Sequence, residues 1–200
     1  IGLGYIGLPT AALLANADME VVGIDVNLQR VEQINNCELQ ISEPGLRSMV
    51  TRAVKSGRLH AKVEMQLADI YLVCVPTPLT ENNTPNMEYV DDVIDSLVPF
   101  LKENDLVILE STSPVGTTTS IKSKIKAMRP ELFTSKSTIH FAYCPERMIP
   151  GNALDELVAN DRVVGGVTNA DSQLAAKFYR QFVQAKIHLT DAQTAEMVKL

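Results

Sequence analysis

Gly2-Leu3-Gly4-Tyr5-Ile6-Gly7 opens the chain with three glycines in the spacing G-x-G-x-x-G. Read as a strand-to-helix turn, each glycine has its own duty. Gly2 allows the tight turn, Gly4 lets the backbone approach a pyrophosphate, and Gly7 permits close packing of helix on strand. The amides of Tyr5 and Ile6 then lie near a helix N-terminus, where the dipole and unpaired N–H groups favour a phosphate. Pro9 falls in the first helical turn, where its missing N–H costs nothing. Glu20-Val21-Val22-Gly23-Ile24-Asp25 reads as a short buried strand ending in an acid. Asp25 follows Gly7 at close to the ~20 residues expected of a ribose-binding carboxylate. Such a carboxylate accepts from ribose hydroxyls and repels a 2′-phosphate, so NAD is favoured over NADP.

Working outward, the chain alternates strand and helix, the pattern of a parallel sheet covered on both faces. Helices are expected over 8–17 and 28–35, and Glu43-Pro44-Gly45-Leu46 opens a third that runs to about Ser56 and is stopped by Gly57. Ile70 to Val75 is a continuous apolar run, as in a buried parallel strand, and Pro76-Thr77-Pro78 forces a rigid loop at its carboxyl end. Asn86 is placed to cap a helix over 87–101. A strand at 106–109, a helix at 118–128 and a connection at 129–136 follow. Strands at 139–143 and 162–165, a helix at 170–184, a short strand at 186–189 and a helix capped by Thr190 or Asp191 complete the pattern. The expected architecture is α/β, a Rossmann-like doubly wound parallel sheet leading into a central helix. Residues 1–189 would form the dinucleotide-binding domain with appended strands, and 190–200 the start of a connecting, dimerising helix. Only Ile1 precedes the first glycine and no Met begins the chain. The first strand is therefore expected to be truncated and the chain to be a piece of a longer one.

Composition narrows the function classes. The net charge of −6 argues against nucleic acid or an anionic membrane as a main partner. An anionic substrate would need local cations, and Arg147, Arg162 and Lys199 are available. No apolar run approaches the ~20 residues that span a bilayer, and no signal peptide is visible. Three cysteines, an odd count without metal-ligand spacing, suit a reducing cytoplasm. Three scattered histidines offer no metal site.

Ligands of open α/β sheets sit outside the carboxyl ends of the strands. Asp25, Thr77, Ser111, Thr112 and Glu146 all follow predicted strands, so one crevice can collect them. Thr77 would contact the cofactor, and the Thr112 hydroxyl would hold substrate or a water. Singly these are ordinary turn residues; together they imitate one site. Glu146 beside Arg147 is a reasonable base for water, and Arg147 can grip an anionic or carbonyl group. Cys144, preceded by an apolar strand, is expected to be a buried small hydrophobe rather than a nucleophile.

Across essentially all 200 residues the motifs resemble the UDP-glucose/GDP-mannose dehydrogenase family. The residues that carry the resemblance are GLGYIGLP, EPGL, VPTP, ESTSPVGTT, YCPER followed by Pro150-Gly151, NDRVVGG and TAEMVKL, in the family's order. CPER-x-x-PG is most similar to the branch in bacteria and archaea that oxidises UDP-N-acetylmannosamine for surface polysaccharide precursors; the UDP-N-acetylglucosamine oxidisers are the near alternative. The resemblance implies a two-step, four-electron oxidation of a sugar C6 alcohol by two NAD, through a thiohemiacetal and a thioester on a cysteine. Carried onto this chain, Gly2, Gly4, Tyr5, Ile6, Gly7, Asp25, Arg30, Thr77 and Thr112 would bind NAD. Glu146 would assist water attack. Arg147 and the Met148 backbone would hold the substrate, and Lys199 would stabilise a developing oxyanion or shuttle a proton. The family generally dimerises through the central helix, so the full-length protein is expected to be a homodimer.

Two departures stand out. Pro150 occupies the place of a second Glu in the glucose-oxidising branch, which disfavours UDP-glucose. Asn86 stands where Asp is expected, an exchange that helix capping tolerates. The family's catalytic Cys lies in a glycine-rich segment beyond residue 200, so these residues alone are expected not to turn over. Two readings of other kinds remain open: a β-hydroxyacid-type dehydrogenase, against which Asp25 argues, and a non-catalytic NAD-sensing domain.

Overall fold

Leu106-Val107-Ile108-Leu109, buried at every position, is the sequence of a strand covered on both faces. A computed structural model, which describes residues 1–39, 43–134, 138–147 and 151–200, places it at the middle of the fold. The amino-terminal part runs α1 (Gly7–Asn16), β1 (Val21–Ile24), α2 (Leu28–Asn35), α3 (Leu46–Lys55) and β2 (Leu59–Lys62). Then come β3 (Ile70–Val73), α4 (Glu88–Leu97), β4 (Leu106–Leu109), α5 (Thr117–Met128) and β5 (His140–Tyr143). The chain closes with α6 (Ala153–Ala159), β6 (Arg162–Gly166), α7 (Asn169–Tyr179), β7 (Ile187–Asp191) and α8 (Ala192–Met197).

The strands lie in the order β3-β4-β5-β6-β7, with β1-β2 as a separate parallel pair. Residues 1–3 bridge the two groups. The Ile1 amino group donates to Leu72 O at 2.7 Å and Cys74 N donates to Ile1 O at 2.8 Å, while Gly2 N donates to Ile24 O at 2.7 Å. Helices cover both faces. On one, α4 and α5 bury Ile94, Leu97, Ile121 and Ile125 against Tyr71, Val107 and Phe141. On the other, Phe178, Tyr179 and Phe182 pack on Leu106, Ile108 and Val164. A third cluster joins α1, α2 and α3 to the β1-β2 pair through Leu8, Ile34, Leu46 and Leu59.

The α/β, Rossmann-like fold is as expected, with several corrections. The sheet is not wholly parallel: β6 runs antiparallel to β5, with Ala142 opposite Gly166 and Tyr143 opposite Gly165. The short α6 stays at the carboxyl end of β5, so the chain enters β6 from that end. Two elements have no counterpart in the sequence reading, β2 and α6. The helix expected over 87–101 ends at Leu97 and passes into a single 3₁₀ turn over Val98–Phe100, because Pro99 cannot continue it. Asn86 is not its cap: Met87 takes that position without a side-chain bond, and Asn86, one residue earlier, accepts the Glu88 amide at 2.8 Å. The helix expected to reach residue 184 ends at Tyr179. Asp191 caps α8, accepting the Thr194 amide at 2.9 Å, but the helix stops at Met197 and leaves Lys199 in the turn beyond it. No described helix is long and apolar enough to cross a membrane.

The three glycines of the first turn differ in what surrounds them. A Cβ at Gly7 would lie 1.8 Å from Gly2 O, and one at Gly2, whose φ is +86°, would lie 2.8 Å from Cys74 O. A Cβ at Gly4 would meet nothing within 4 Å. Gly7→Ala is therefore expected to cost about 3 kcal/mol or more of stability through overpacking. Gly4→Ala should stay within about 0.5 kcal/mol. Urea denaturation of the two variants checks the contrast.

Candidate active site

The carboxyl ends of β1, β3, β4 and β5 collect the polar side chains. Asp25 ends β1 and is 6% exposed. One carboxylate oxygen accepts the Leu3 amide at 2.9 Å and Arg30 Nη1 at 2.8 Å, and the other accepts the Asn27 amide at 2.9 Å. Burial alone would push this carboxyl up. The Asn27 amide, the Arg30 guanidinium and the Leu3 amide outweigh it and hold the group below its ordinary range. Asp25 thus fixes the glycine turn, and lone-pair capacity remains for a further donor. Gly4 is open on its Cβ side, and α1 has no side-chain cap at its start. A backbone that a ligand can approach and first-turn amides that suit an anion are what a dinucleotide pyrophosphate requires, so these residues fit NAD.

The turn after β4 presents its residues alternately. Ser111 Oγ donates to Val75 O at 2.7 Å and Ser113 Oγ to Ser111 O at 2.8 Å, both buried. Thr112 between them is exposed, and Thr77 in the loop after β3 is half-buried. Glu196 of α8, fully buried, secures the far side of this turn. Its carboxylate accepts Gly116 N at 2.5 Å, Thr118 N at 2.7 Å and Thr118 Oγ1 at 2.7 Å, supplying the cap that α5 lacks.

Glu146 follows β5 and is 5% exposed. The cation beside it is Arg162, not Arg147 as the sequence order suggested: Arg162 Nη1 reaches Glu146 Oε2 at 2.8 Å. The antiparallel register explains the pairing, since its continuation past Tyr143–Gly165 brings Arg162 opposite Glu146. Arg162 also donates to Leu157 O at 3.1 Å and lies 5.4 Å from the Tyr179 ring centroid. Burial opposes its charge, but Cys144, Glu146 and Glu110 more than offset that and raise its affinity for the proton. The Arg147 amide donates to Glu146 Oε1 at 2.7 Å, whereas its exposed guanidinium donates to Asp161 O. Lys199 Nζ donates to Glu146 O. Glu146 and Lys199 are therefore brought together; Met148 lies outside the described residues.

Sequence reasoning gave no role to Glu110, although it heads ESTSPVG. It is buried behind the turn, accepting Tyr179 OH at 2.5 Å and Cys74 Sγ at 3.2 Å, and burial pushes its carboxyl up. Glu43 was missed as well; it accepts Tyr5 OH at 2.7 Å and Ala153 N at 2.6 Å. The sequence places both acids immediately before a turn proline or hydroxyl run but gives no sign that they are buried. Cys144 is a buried thiol as expected, pushed up to about 12 by burial. Among the described residues no three His, Cys, Asp or Glu side chains group to hold a metal.

A glycine turn open at Gly4, beside an acid and a serine-threonine turn at one sheet end, matches a known domain. The model of the UDP-glucose/GDP-mannose dehydrogenase family, NAD binding domain, fits residues 1–183. The chain belongs to this family. It is 45% identical over 205 residues to the NDP-N-acetyl-D-galactosaminuronic acid dehydrogenase of Ralstonia nicotianae, covering 100% of this chain and 48% of that protein. It is 45% identical over 204 residues to the UDP-N-acetyl-D-mannosamine dehydrogenase of Methanococcus maripaludis, covering 100% and 45%. The structure of UDP-N-acetyl-mannosamine dehydrogenase from Staphylococcus aureus superposes with a TM-score of 0.93 at 38% identity, covering 100% of this chain and 48% of that one. The chain thus spans about half the length of the curated relatives it matches.

In this family member the buried Arg162–Glu146 pair is the part of the site most exposed to mutation. Removing one partner of a buried pair costs about 3–5 kcal/mol, because a charge is left uncompensated. Arg162→Ala should fall in that range by urea denaturation, and Arg147→Ala, on the surface, should stay within about 0.5 kcal/mol. Equal losses for the two variants would contradict the assignment of the pair.

Proposed function

We propose that this chain supplies the NAD-binding half of an enzyme that oxidises the C6 hydroxyl of a UDP-N-acetylhexosamine, UDP-N-acetylmannosamine first among them, to the uronate. The observation that carries this reading is the meeting of Glu146 and Lys199 at the sheet end that also holds the glycine turn and Thr112. The Glu146 carboxylate and the Lys199 ammonium, joined through the Glu146 main-chain carbonyl, serve successive needs. One takes a proton from attacking water, and the other meets negative charge developing on the sugar oxygen.

In this reading the Tyr5 and Ile6 amides hold the pyrophosphate, Asp25 and Arg30 the ribose, and Thr77 and Thr112 the nicotinamide side. Bound NAD supplies the hydride acceptor for each of the two oxidations. Thr112 also orients a water or the C6 oxygen. Arg147, with the Met148 backbone, grips the sugar nucleotide, and Lys199 stabilises the oxyanion. Glu146 accepts the proton of the water that releases the uronate, with Arg162 fixing its orientation. The reaction also needs a thiol. Burial raises the Cys74 thiol well above its ordinary range and Cys144 to about 12, so neither is a thiolate near neutral pH. The reading places the nucleophilic cysteine outside residues 1–200.

The same reading takes 190–200 as the start of a connecting helix. The full-length protein would be a homodimer built on that helix. A cytoplasmic enzyme making surface polysaccharide precursors fits these parts. The similarity to the Ralstonia nicotianae protein favours a second reading in which the hexosamine is the galacto epimer.

The test offers the complete protein UDP-N-acetylmannosamine, UDP-N-acetylglucosamine, UDP-N-acetylgalactosamine and UDP-glucose in parallel, reading NADH. Two NADH per UDP-N-acetylmannosamine, with UDP-glucose idle, is expected. Two per galacto or gluco epimer instead would move the substrate and keep the chemistry, and no NADH from any would overturn the reading. Glu146→Gln is expected to lower kcat about 10²–10⁴-fold as a lost general base. Lys199→Ala should lower it about 10²–10³-fold as a lost oxyanion contact.

A further inference from the structure

We propose that Glu43 is a positioning residue that couples occupancy of the dinucleotide turn to the geometry of the substrate segment. The inference rests on the functional reading above and extends it to a residue outside the reacting groups. Glu43 stands immediately before α3, in Glu43-Pro44-Gly45-Leu46, and is 7% exposed. Its carboxylate takes nothing from its own helix. Instead it accepts Tyr5 OH at 2.7 Å, Gly151 N at 3.0 Å and Ala153 N at 2.6 Å. The Gly151 amide is shared with the Tyr5 oxygen, also at 3.0 Å, which closes a three-membered ring of hydrogen bonds.

The three donors come from two places with different ligands. Tyr5 lies in the glycine turn, next to the open Cβ side of Gly4. Gly151 and Ala153 follow Glu146 and Arg147 in the connection from β5 to α6. A helix cap for α6 would need only the Ala153 amide; the arm to Tyr5 adds nothing to that cap. Its effect is to give the phenol of the cofactor turn and the backbone of the substrate segment one common acceptor. The Tyr5 hydroxyl leads the groups that hold the Glu43 carboxyl below its ordinary range, so the acceptor keeps its charge and all its donors near neutral pH.

The consequence is thermodynamic. A dinucleotide that fixes the Tyr5 backbone also fixes its phenol, and through Glu43 orders residues 151–153. A sugar nucleotide held by Arg147 orders the same segment from the other side. Each ligand then bears part of the ordering cost of the other, so each tightens the other's binding by the same factor.

The experiment is an NADH titration of the complete protein, followed by fluorescence, with and without saturating UDP-N-acetylmannosamine. The ratio of the two dissociation constants is the coupling factor, and in the parent it is expected to be about fivefold or more, the lower end of ordinary allosteric coupling. In Glu43→Gln, which keeps the size and loses half the acceptor capacity, the ratio is expected to fall below about twofold. Tyr5→Phe, which deletes one oxygen, should do the same, and the double variant should lose no more than either alone because one link is cut. The ratio is formed within each protein, so a change in either separate affinity does not enter it. If Glu43→Gln does not fold, Tyr5→Phe still decides. A parent ratio near one with both ligands bound, or variants that keep the parent's ratio, overturns the inference and leaves the functional reading standing. NADH binding without any UDP-sugar binding overturns that reading and the inference with it.

Discussion

The ion pair between Arg162 and Glu146 is the constraint around which the site is organised. Two buried charges are costly to remove from water, and such a pair adds little net stability against apolar residues of equal size. What it provides is orientation. Arg162 opens β6 directly across from the residue that leaves β5, and the antiparallel register makes their meeting unavoidable. The guanidinium also holds the Leu157 carbonyl of α6 and lies against the Tyr179 ring of α7. Glu146 is thereby tied to two helices and a strand, and its own carbonyl is left to receive Lys199. A carboxylate with that many fixed neighbours samples few rotamers, which is what a group acting on one water needs.

Other buried acids tie the loops at the strand ends. Asp25 fastens the glycine turn to the end of β1 through the Leu3 amide. Glu196 fastens the turn carrying Thr112 to α8 by bonding Gly116 and Thr118 at the start of α5. In each case a carboxylate from one element satisfies backbone amides of another that would otherwise be buried without a partner. The loops are irregular in sequence but over-determined in bonding. The surfaces they leave open, at Gly4, Thr77 and Thr112, are the ones that the proposed dinucleotide site uses.

Much of this was legible in the sequence because it is local. The duties assigned to Gly2 and Gly7 appear as a positive φ and as a site where a Cβ would lie 1.8 Å from Gly2 O, and Asp191 caps its helix where short-range rules put it. The buried character of Cys144 followed from the apolar run before it. What escaped was set by tertiary pairing. The sequence neighbours Glu146 and Arg147 suggested an ion pair, yet side chains of adjacent residues after a strand point apart, and the partner came from sixteen positions on through sheet register. The short edge strand β2, with alternate residues exposed, carries too few apolar positions to announce itself, and α6 spans only 7 residues. Glu43 and Glu110 read as loop acids because nothing in one dimension shows that Tyr5 and Tyr179 approach them.

In the proposed reaction Glu146, held by Arg162, activates the water that ends the reaction and has no part in the first oxidation. The most direct measurement is intact-mass analysis of the complete protein bearing Glu146→Gln, mixed with NAD and UDP-N-acetylmannosamine. The account predicts a rapid burst of NADH and a covalent sugar-nucleotide adduct on the protein that decays slowly, since the thioester forms and its hydrolysis is impaired. A variant that produces neither NADH nor adduct, while still binding both ligands, would place Glu146 in the earlier chemistry and contradict the account.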